Sequence, residues 1–533
     1  MRLAYKQMEH WPALAWIARV EAETDVVQIW HGRRVETRNE WFCEAVWAGE
    51  FSSADFDLTE RIFGSGARLR GGRIIFVSSG STLDRLISIE TPQGIFVSNS
   101  LPCLMNRVGA SVDPTSGAYR DFFGGICQGI DKYPRELSTS AGPVRFIYFR
   151  NIVWDGATLQ EREKPDTCGP FHAFDDYRAF LQTTIDAIAQ NLASPLRQFP
   201  LKMLGTMSSG YDSAAVSTMA QQAGLREVLA ISHSKFGSSD AGEPVAKALG
   251  LKLTLIEREA WTRLDCPEVP FISSDAKGED VYFHGAKQHL SGCALFTGFL
   301  GDLNWLTGDH GSNGRGPRLS RGDRSGLSLT EFRLWAGFIH CPIPYLGAMH
   351  IDQIVPIGQS AAMKPWDFGG DYSKPVARRI LEEAGVPRDA FANEKKAASV
   401  VFHSARNMLS PSTQKEFAKW LGQHSRAFWR KGEIPPDLRD AIIAPIQWIA
   451  RKGWSIYGRT KWLPKRLQFI RRLSRRMAEW GQKERLTRYL FPWALECAKQ
   501  AYRTNGTDVP ATDPLPAQRA LKPMTKAEHA VGV

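Results

Sequence analysis

The stretch "LGTMSSGYDSAAVSTMA", residues 204–220, decides how the chain is read. An apolar run breaks into Ser-Ser-Gly-Tyr-Asp-Ser and then into a helical pattern of small residues. Neither G-x-x-x-x-G-K-[ST] nor G-x-G-x-x-G stands at this junction. If the run is a strand and the pattern a helix, the loop sits where free N–H groups and the positive end of the helix dipole collect. Ser208, Ser209 and Ser213 add hydroxyls, Gly210 permits close backbone approach, and Tyr211 follows it. Such a loop holds a polyphosphate without a lysine. Asp212 would repel a bare phosphate and makes sense with Mg²⁺ between them. The loop therefore points to Mg·ATP or pyrophosphate. The plainer reading is a Ser-rich helix N-cap, where Ser and Asp are favoured in any case.

Outward from this loop the pattern alternates. "LKMLGTM" reads as a buried strand, "EVLAISHS" as a second, "KLTLIE" as a third and "ALFTGFLGD" as a fourth with its C-terminal loop. "SAAVSTMAQQAG", "DAGEPVAKALG" and "DVYFHGAKQHLSG" read as the intervening helices, the first two stopped by glycine. Strand and helix in turn predict a doubly wound parallel sheet, whose ligands bind outside the carboxyl ends of the strands. The loops at 208–213 and 298–304 both fall at such ends.

Residues 1–165 read as β-rich, with "RIIFVSS", "RLISIE" and "GIFVSNS" separated by turn residues. "KPDTCGP" at 164–170 reads as a linker. "FDDYRAFLQTTIDAIAQNLASP" carries Leu181, Ile185, Ile188 and Leu192 on one face, an amphipathic helix closed by Ser-Pro. The Gly- and Arg-rich residues 308–326 read as a loop near the site, suited to a lid. Beyond 328 the chain reads as mainly helical, with a basic helical extension over 406–503 and a disordered tail over 504–533.

With 533 residues the chain is long enough for several domains. No apolar run approaches the length of a membrane span, and the first residues lack the pattern of a secretory signal. The eight cysteines are scattered without C-x-x-C, which signals neither a zinc site nor a disulfide framework. The expectation is a cytoplasmic protein. The net charge of +11 is concentrated in residues 451–488, which hold about a dozen Lys and Arg against Glu479 and Glu484. That stripe suits contact with an acidic surface or substrate, or else is a solvated helix face. The charge alone is no strong nucleic-acid signal.

"SSGYDSAAV" resembles the S-G-G-x-D-S pyrophosphate loop of the ATP pyrophosphatases, with Ser209 in place of the first Gly. "TGFLGDLNW" resembles the G-x-G-x-D element of asparagine synthetase-like enzymes, and "YSKPVARRILEEAGVPRDAFANEKKAAS" their late lysine-bearing element. "FGSGARLRGGRIIFVSSGSTLDRLISIETPQGIFVSNSLPCLM" resembles their glutaminase domain. The resemblance spans roughly residues 45–405. It implies an N-terminal glutaminase-like, Ntn-type α+β sandwich over 1–165. An ATP-pyrophosphatase domain over 170–405 would follow. It implies ATP and Mg²⁺, with Asp212 and Asp302 as metal ligands. Ser208, Ser209, Gly210, Tyr211, Ser213 and Gly298 would lie at the nucleotide, with Ile231, Ser232 and His233 lining the adenosine pocket. Lys396, with Lys395 as its competitor, would stabilise the reacting phosphoryl group. The implied chemistry is adenylation of a carboxylate, loss of pyrophosphate, and transfer of the acyl group to nitrogen with release of AMP.

Three departures narrow this. The second residue is Arg2 where glutamine-dependent members expose a Cys, so the chain is expected to lack glutaminase activity and to use ammonia from a partner or an amine. Phe299 stands where β-lactam-forming members have a Tyr, and Leu303 follows Asp302 where asparagine-making members have an acid. Glu331, roughly thirty residues beyond Phe299, is then a candidate base, or else an ordinary helix Glu. The expected substrate is a carboxylate on a small molecule, a sugar acid or a peptide. A lasso-type macrolactam cyclase, an RNA-modifying enzyme and a non-catalytic scaffold are the other readings.

Overall fold

Alternating burial along short strands builds the N-terminal half. The computed structural model describes residues 1–235, 237–306, 318–369, 372–391, 396–402, 409–431 and 486–503, with isolated positions between 448 and 476. The 308–326 loop up to residue 317, Lys395, most of the basic stretch 451–488, and the tail 504–533 lie outside the described residues. The chain is α/β, with two largely antiparallel sheets followed by a parallel one.

In the first, seven-stranded sheet, strand Trp16–Val20 lies between Val26–His31 and Gly94–Ser98. The second, six-stranded sheet is centred on Ile62–Arg70 and Arg73–Val77. Period-two side chains from both sheets share one core: Trp16, Ala18 and Val20 from the first meet Phe42, Ala67, Ile74 and Phe76 from the second. Ile17, Ile87, Ile89 and Phe96 alternate with these and pack instead with helix Leu101–Arg107. Helix Phe174–Leu192 buries the expected face of Leu181, Ile185, Ile188 and Leu192, beside strand Trp41–Trp47 of the second sheet. Residues 163–173, which include the whole of the expected linker 164–170, hold no regular element.

The parallel sheet has the order Lys252–Ile256, Glu227–Ile231, Lys202–Met207, Cys293–Thr297, Ile339–Pro342. The direction of chain progression reverses between Lys202–Met207 and Cys293–Thr297, which are hydrogen-bonded neighbours. That reversal is the topological switch point, where ligands bind in such sheets. The fifth strand, Ile339–Pro342, lies in the stretch beyond 328 that reads as mainly helical, and it ends in a proline. It is tolerated because it forms an edge, pairing only with Cys293–Thr297. The helix expected over 280–292 winds instead as a 3₁₀ segment, Val281–Ala286, followed by the short α-helix Lys287–Leu290. No helix among the described residues is long and apolar enough to cross a membrane.

One buried ion cluster joins the two halves. Arg333, on helix Leu329–Ala336, donates from Nη1 to Glu44 Oε2 at 2.6 Å and from Nε to Asp84 Oδ1 at 2.7 Å. All three side chains are buried. Arg333→Leu would leave two carboxylates facing each other without a cation. A destabilisation of about 3–5 kcal/mol is expected, read as a fall in the urea midpoint. A midpoint unchanged from the parent would show that the cluster contributes nothing.

Candidate active site

Strand Lys202–Met207 runs into Ser208, Ser209 and Gly210, and helix Tyr211–Gln222 begins at once. Gly210 caps it in an extended conformation. Ser208 Oγ lies 2.6 Å from Ser213 Oγ and accepts the Gly210 N–H at 3.2 Å, so the loop folds back on its own helix. Ser209, the departure from the resembled motif, has a visible role: its Oγ donates to Asp240 Oδ1 at 2.7 Å and its N–H to Asp240 O at 3.1 Å. The hydroxyl ties the loop to the segment beyond the second strand.

The neighbouring strand, Cys293–Thr297, ends in Gly298, Phe299, Leu300, Gly301 and Asp302. A methyl group at Gly298 would sit 2.5 Å from the backbone carbon of Asp212, and one at Gly301 would sit 2.5 Å from its Cγ. Only glycine lets the second loop close on the first. Leu300 takes the left-handed region at φ +79°, a strained conformation for a side-chain-bearing residue.

Asp212 and Asp302 thereby converge on Lys374. Its Nζ lies 2.5 Å from Asp212 Oδ2 and 2.7 Å from Asp302 Oδ1, with the Lys374 side chain fully buried. Burial pulls the ammonium toward neutrality, but the charges of Asp212 and Asp302 and their hydrogen bonds outweigh it and raise its pKa. Lys374 went unrecognised in the sequence. It stands just before Pro375, at the start of helix Pro375–Glu383, so the one available cue was a lysine entering an amphipathic helix.

A cavity of about 860 Å³ opens beside this cluster. Leu229, Ile231, Ile256 and Phe283 line it toward one edge of the sheet. Ser208, Gly210, Asp212, Ser213, Gly298 and Asp302 line its middle, and Leu303, Leu306, Arg321 and Asp323 belong to the wall that follows the fourth strand. Tyr211 and Tyr372 also face it. Lys396 reaches the same cavity, its Nζ donating to Ser239 O at 2.7 Å. Ser209 and Ser232 are not in the lining. The N–H of Ser232 bonds Ile256 O, and its hydroxyl faces His233 Nδ1 at 2.9 Å.

Glu331 requires a correction. It does not line the cavity. It is buried, accepting from Ser100 Oγ at 2.8 Å, from Trp335 Nε1 at 2.9 Å and from the Tyr502 hydroxyl. Burial raises its pKa. Its work is to join three chain segments, because its helix turns that carboxylate toward the N-terminal half rather than the site.

Beneath Phe299 lies His340, edge-on to the ring at 5.5 Å between centroids and 2.9 Å from Thr297 Oγ1. Burial, then the charges of Arg333 and Arg321, lower its pKa from 6.5 to about 3.

No protein-family model matches the chain, and no curated protein matches it.

Two outcomes follow from this geometry. Lys374→Met should cost about 1–3 kcal/mol, less than a fully buried pair because both carboxylates are partly exposed. Millimolar Mg²⁺ should restore its melting temperature, but not that of Lys374→Met/Asp212→Asn. A single mutant that does not respond to Mg²⁺ would deny the carboxylates a divalent ion. For His340, the folded pKa lies below the unfolded one, so the unfolded chain takes up the proton first as pH falls. Stability should drop below pH 6.5, by about 2 kcal/mol at pH 5. His340→Gln should flatten that part of the urea-midpoint profile.

Proposed function

We propose that the chain is an ATP-dependent carbon–nitrogen ligase that adenylates a carboxylate and passes the acyl group to ammonia or an amine. In this reading the paired sheets are a glutaminase-like, Ntn-type domain and the parallel sheet is an ATP-pyrophosphatase domain. The observation that carries it is the convergence of Asp212 and Asp302, from the two strands at the switch point, on one cationic position. That position lies beside a hydroxyl-lined helix N-terminus and a cavity of nucleotide size.

The donor chemistry fits Mg²⁺: two carboxylates already gather around a positive charge, and the ion takes one or two carboxylates plus phosphate oxygens. Asp212 and Asp302 would hold it, and when bound it offsets polyphosphate charge. Ser208 and Ser213 hydroxyls and the loop amides would donate to the leaving pyrophosphate. The apolar wall of Leu229, Ile231, Ile256 and Phe283 would take the base. Lys396, on the same cavity, would bring positive charge to the phosphoryl group as its bond to the leaving oxygen lengthens. The substrate carboxylate oxygen bonds the α-phosphorus as pyrophosphate departs. The amine nitrogen then bonds the acyl carbon as AMP departs, its proton passing to solvent.

The test is pyrophosphate release from Mg·ATP over a panel of small, sugar-derived and peptide carboxylates, with and without ammonium. Release dependent on one acid, and reduced about 100-fold or more in Asp212→Asn and Asp302→Asn, is the expected result. Adenylation alone yields one pyrophosphate per enzyme, so sustained turnover without added amine, with an amide as product, would identify a substrate-tethered nucleophile, as in a cyclase. Folded protein that neither releases pyrophosphate with any acid nor gains thermal stability from Mg·ATP would overturn the ligase reading and favour a scaffold.

A further inference from the structure

Away from the cavity, four metal-ligating side chains from three separate stretches meet beside the linker. Glu60 precedes strand Ile62–Arg70 of the second sheet. Asp166 and Cys168 belong to the irregular linker, and His350 ends the 3₁₀ turn Ala348–His350 that follows the last strand of the parallel sheet. One donor atom from each lies within 4.8 Å of every other. Cys168 Sγ is 2.5 Å from Glu60 Oε1, and His350 Nε2 is 3.1 Å from Asp166 Oδ1. Glu60 and Cys168 are buried, His350 is half-buried and Asp166 is exposed. None of the four lines the 860 Å³ cavity.

This is not a patch of surface acids. A thiol and an imidazole belong to it, and its two carboxylates come from different elements. The imidazole is also held from behind. His350 Nδ1 faces Gln353 Nε2 at 3.4 Å, and Gln353 Oε1 accepts the Phe171 N–H at 2.8 Å. The Phe171 ring stands edge-on to His350. The Gln353 amide nitrogen can only donate, so Nδ1 accepts and the ring proton sits on Nε2 toward Asp166. A metal at Nε2 would move that proton to Nδ1 and turn the Gln353 amide, so the contact fixes the ring plane and not the ligating tautomer.

We propose that Glu60, Asp166, Cys168 and His350 form a structural site for a zinc-class divalent transition metal that staples the two halves of the chain together. The donor set decides the class. Thiolate and imidazole suit Zn²⁺ and its first-row neighbours, whereas Mg²⁺ and Ca²⁺ take oxygen donors. Bond lengths of about 2.0 Å to N and O and about 2.3 Å to S place tetrahedral donors about 3.3–3.5 Å apart. The Cys168–Glu60 and His350–Asp166 pairs, at 2.5 and 3.1 Å, are closer than that and no pair exceeds 4.8 Å, so seating the ion needs side-chain adjustment only. Four protein donors leave no open position for substrate, which makes the site structural rather than catalytic. Binding as thiolate displaces the Cys168 proton to solvent. Because the ligands come from both halves and from the linker, the unfolded chain offers no preformed site, and binding adds to the stability of the native arrangement. The thiol and the imidazole are 182 residues apart, which is why the cysteine spacing signalled nothing.

Metal content and cobalt spectroscopy of the full chain test this, in an Asp212→Asn background that removes the carboxylate pair of the cavity as a competitor. After loading with Zn²⁺ and desalting, roughly one equivalent of zinc should remain, and Co²⁺ should give tetrahedral d–d absorption with a thiolate-to-cobalt charge-transfer band. Cys168→Ser should abolish that band, and His350→Ala should remove stoichiometric uptake. Zn²⁺ should raise the melting temperature of the parent and not of either variant. Folded parent protein that keeps less than about a tenth of an equivalent overturns the proposal, whatever the variants do. So does a charge-transfer band that survives Cys168→Ser.

Discussion

Two carboxylates at the ends of adjacent strands need a cation between them, and the centre of this molecule is arranged around that need. The Asp212 and Asp302 oxygens that share Lys374 lie within about 5 Å of each other, where unscreened like charges cost about 3 kcal/mol at an effective dielectric of 20. Lys374 meets that repulsion with a side chain that has no contact with solvent. Gly298 and Gly301 are required because any side chain there would push the second loop off the first. Leu300 accepts a left-handed backbone within the same tight turn. The strain is local, and the packed sheet on either side maintains it.

A second constraint lies between the sheets. Charge is buried at the junction of the two halves, and the partners come from both. Arg333 reaches from the parallel-sheet half to Glu44 and Asp84. Glu331, two residues earlier, reaches to Ser100 and to Tyr502 near the end of the described chain. Helix Leu490–Lys499 packs between Leu101–Arg107 and Val269–Asp275, so this part of the C-terminal stretch is integrated with both halves. Separating them would expose paired charges whose partners sit across the boundary, a strong penalty against independent motion.

What was legible in the residues was whatever periodicity and turn chemistry encode locally. The alternation of apolar runs with glycine-stopped helices revealed the parallel sheet, and the i, i+4 apolar face of 174–192 revealed the helix that covers strand Trp41–Trp47. The loop at 208–213 and Asp302 were placed at strand ends by the same pattern. The fifth strand was hidden because a four-residue run ending in Pro342 is too short to show a period of its own within a stretch that reads as helical. Glu331 was misplaced because spacing along a chain says nothing of which way a helix turns its carboxylate.

The sequence by itself determined the first four strands of the parallel sheet, the small hydroxyl-rich loop and the two acidic positions, since each depends on residues a few places apart. Only the tertiary structure decided which groups meet. Lys374 stands 162 residues from Asp212 and 72 from Asp302, and no local pattern relates them. The strand order brings the two acids to adjoining ends, and burial places Lys374 against both. The same holds for Glu60, Asp166, Cys168 and His350, which the docking of two sheets and a linker brings within 4.8 Å. Local preferences act over a few residues, whereas proximity of charge is set by how layers pack, and that is a property of the whole chain.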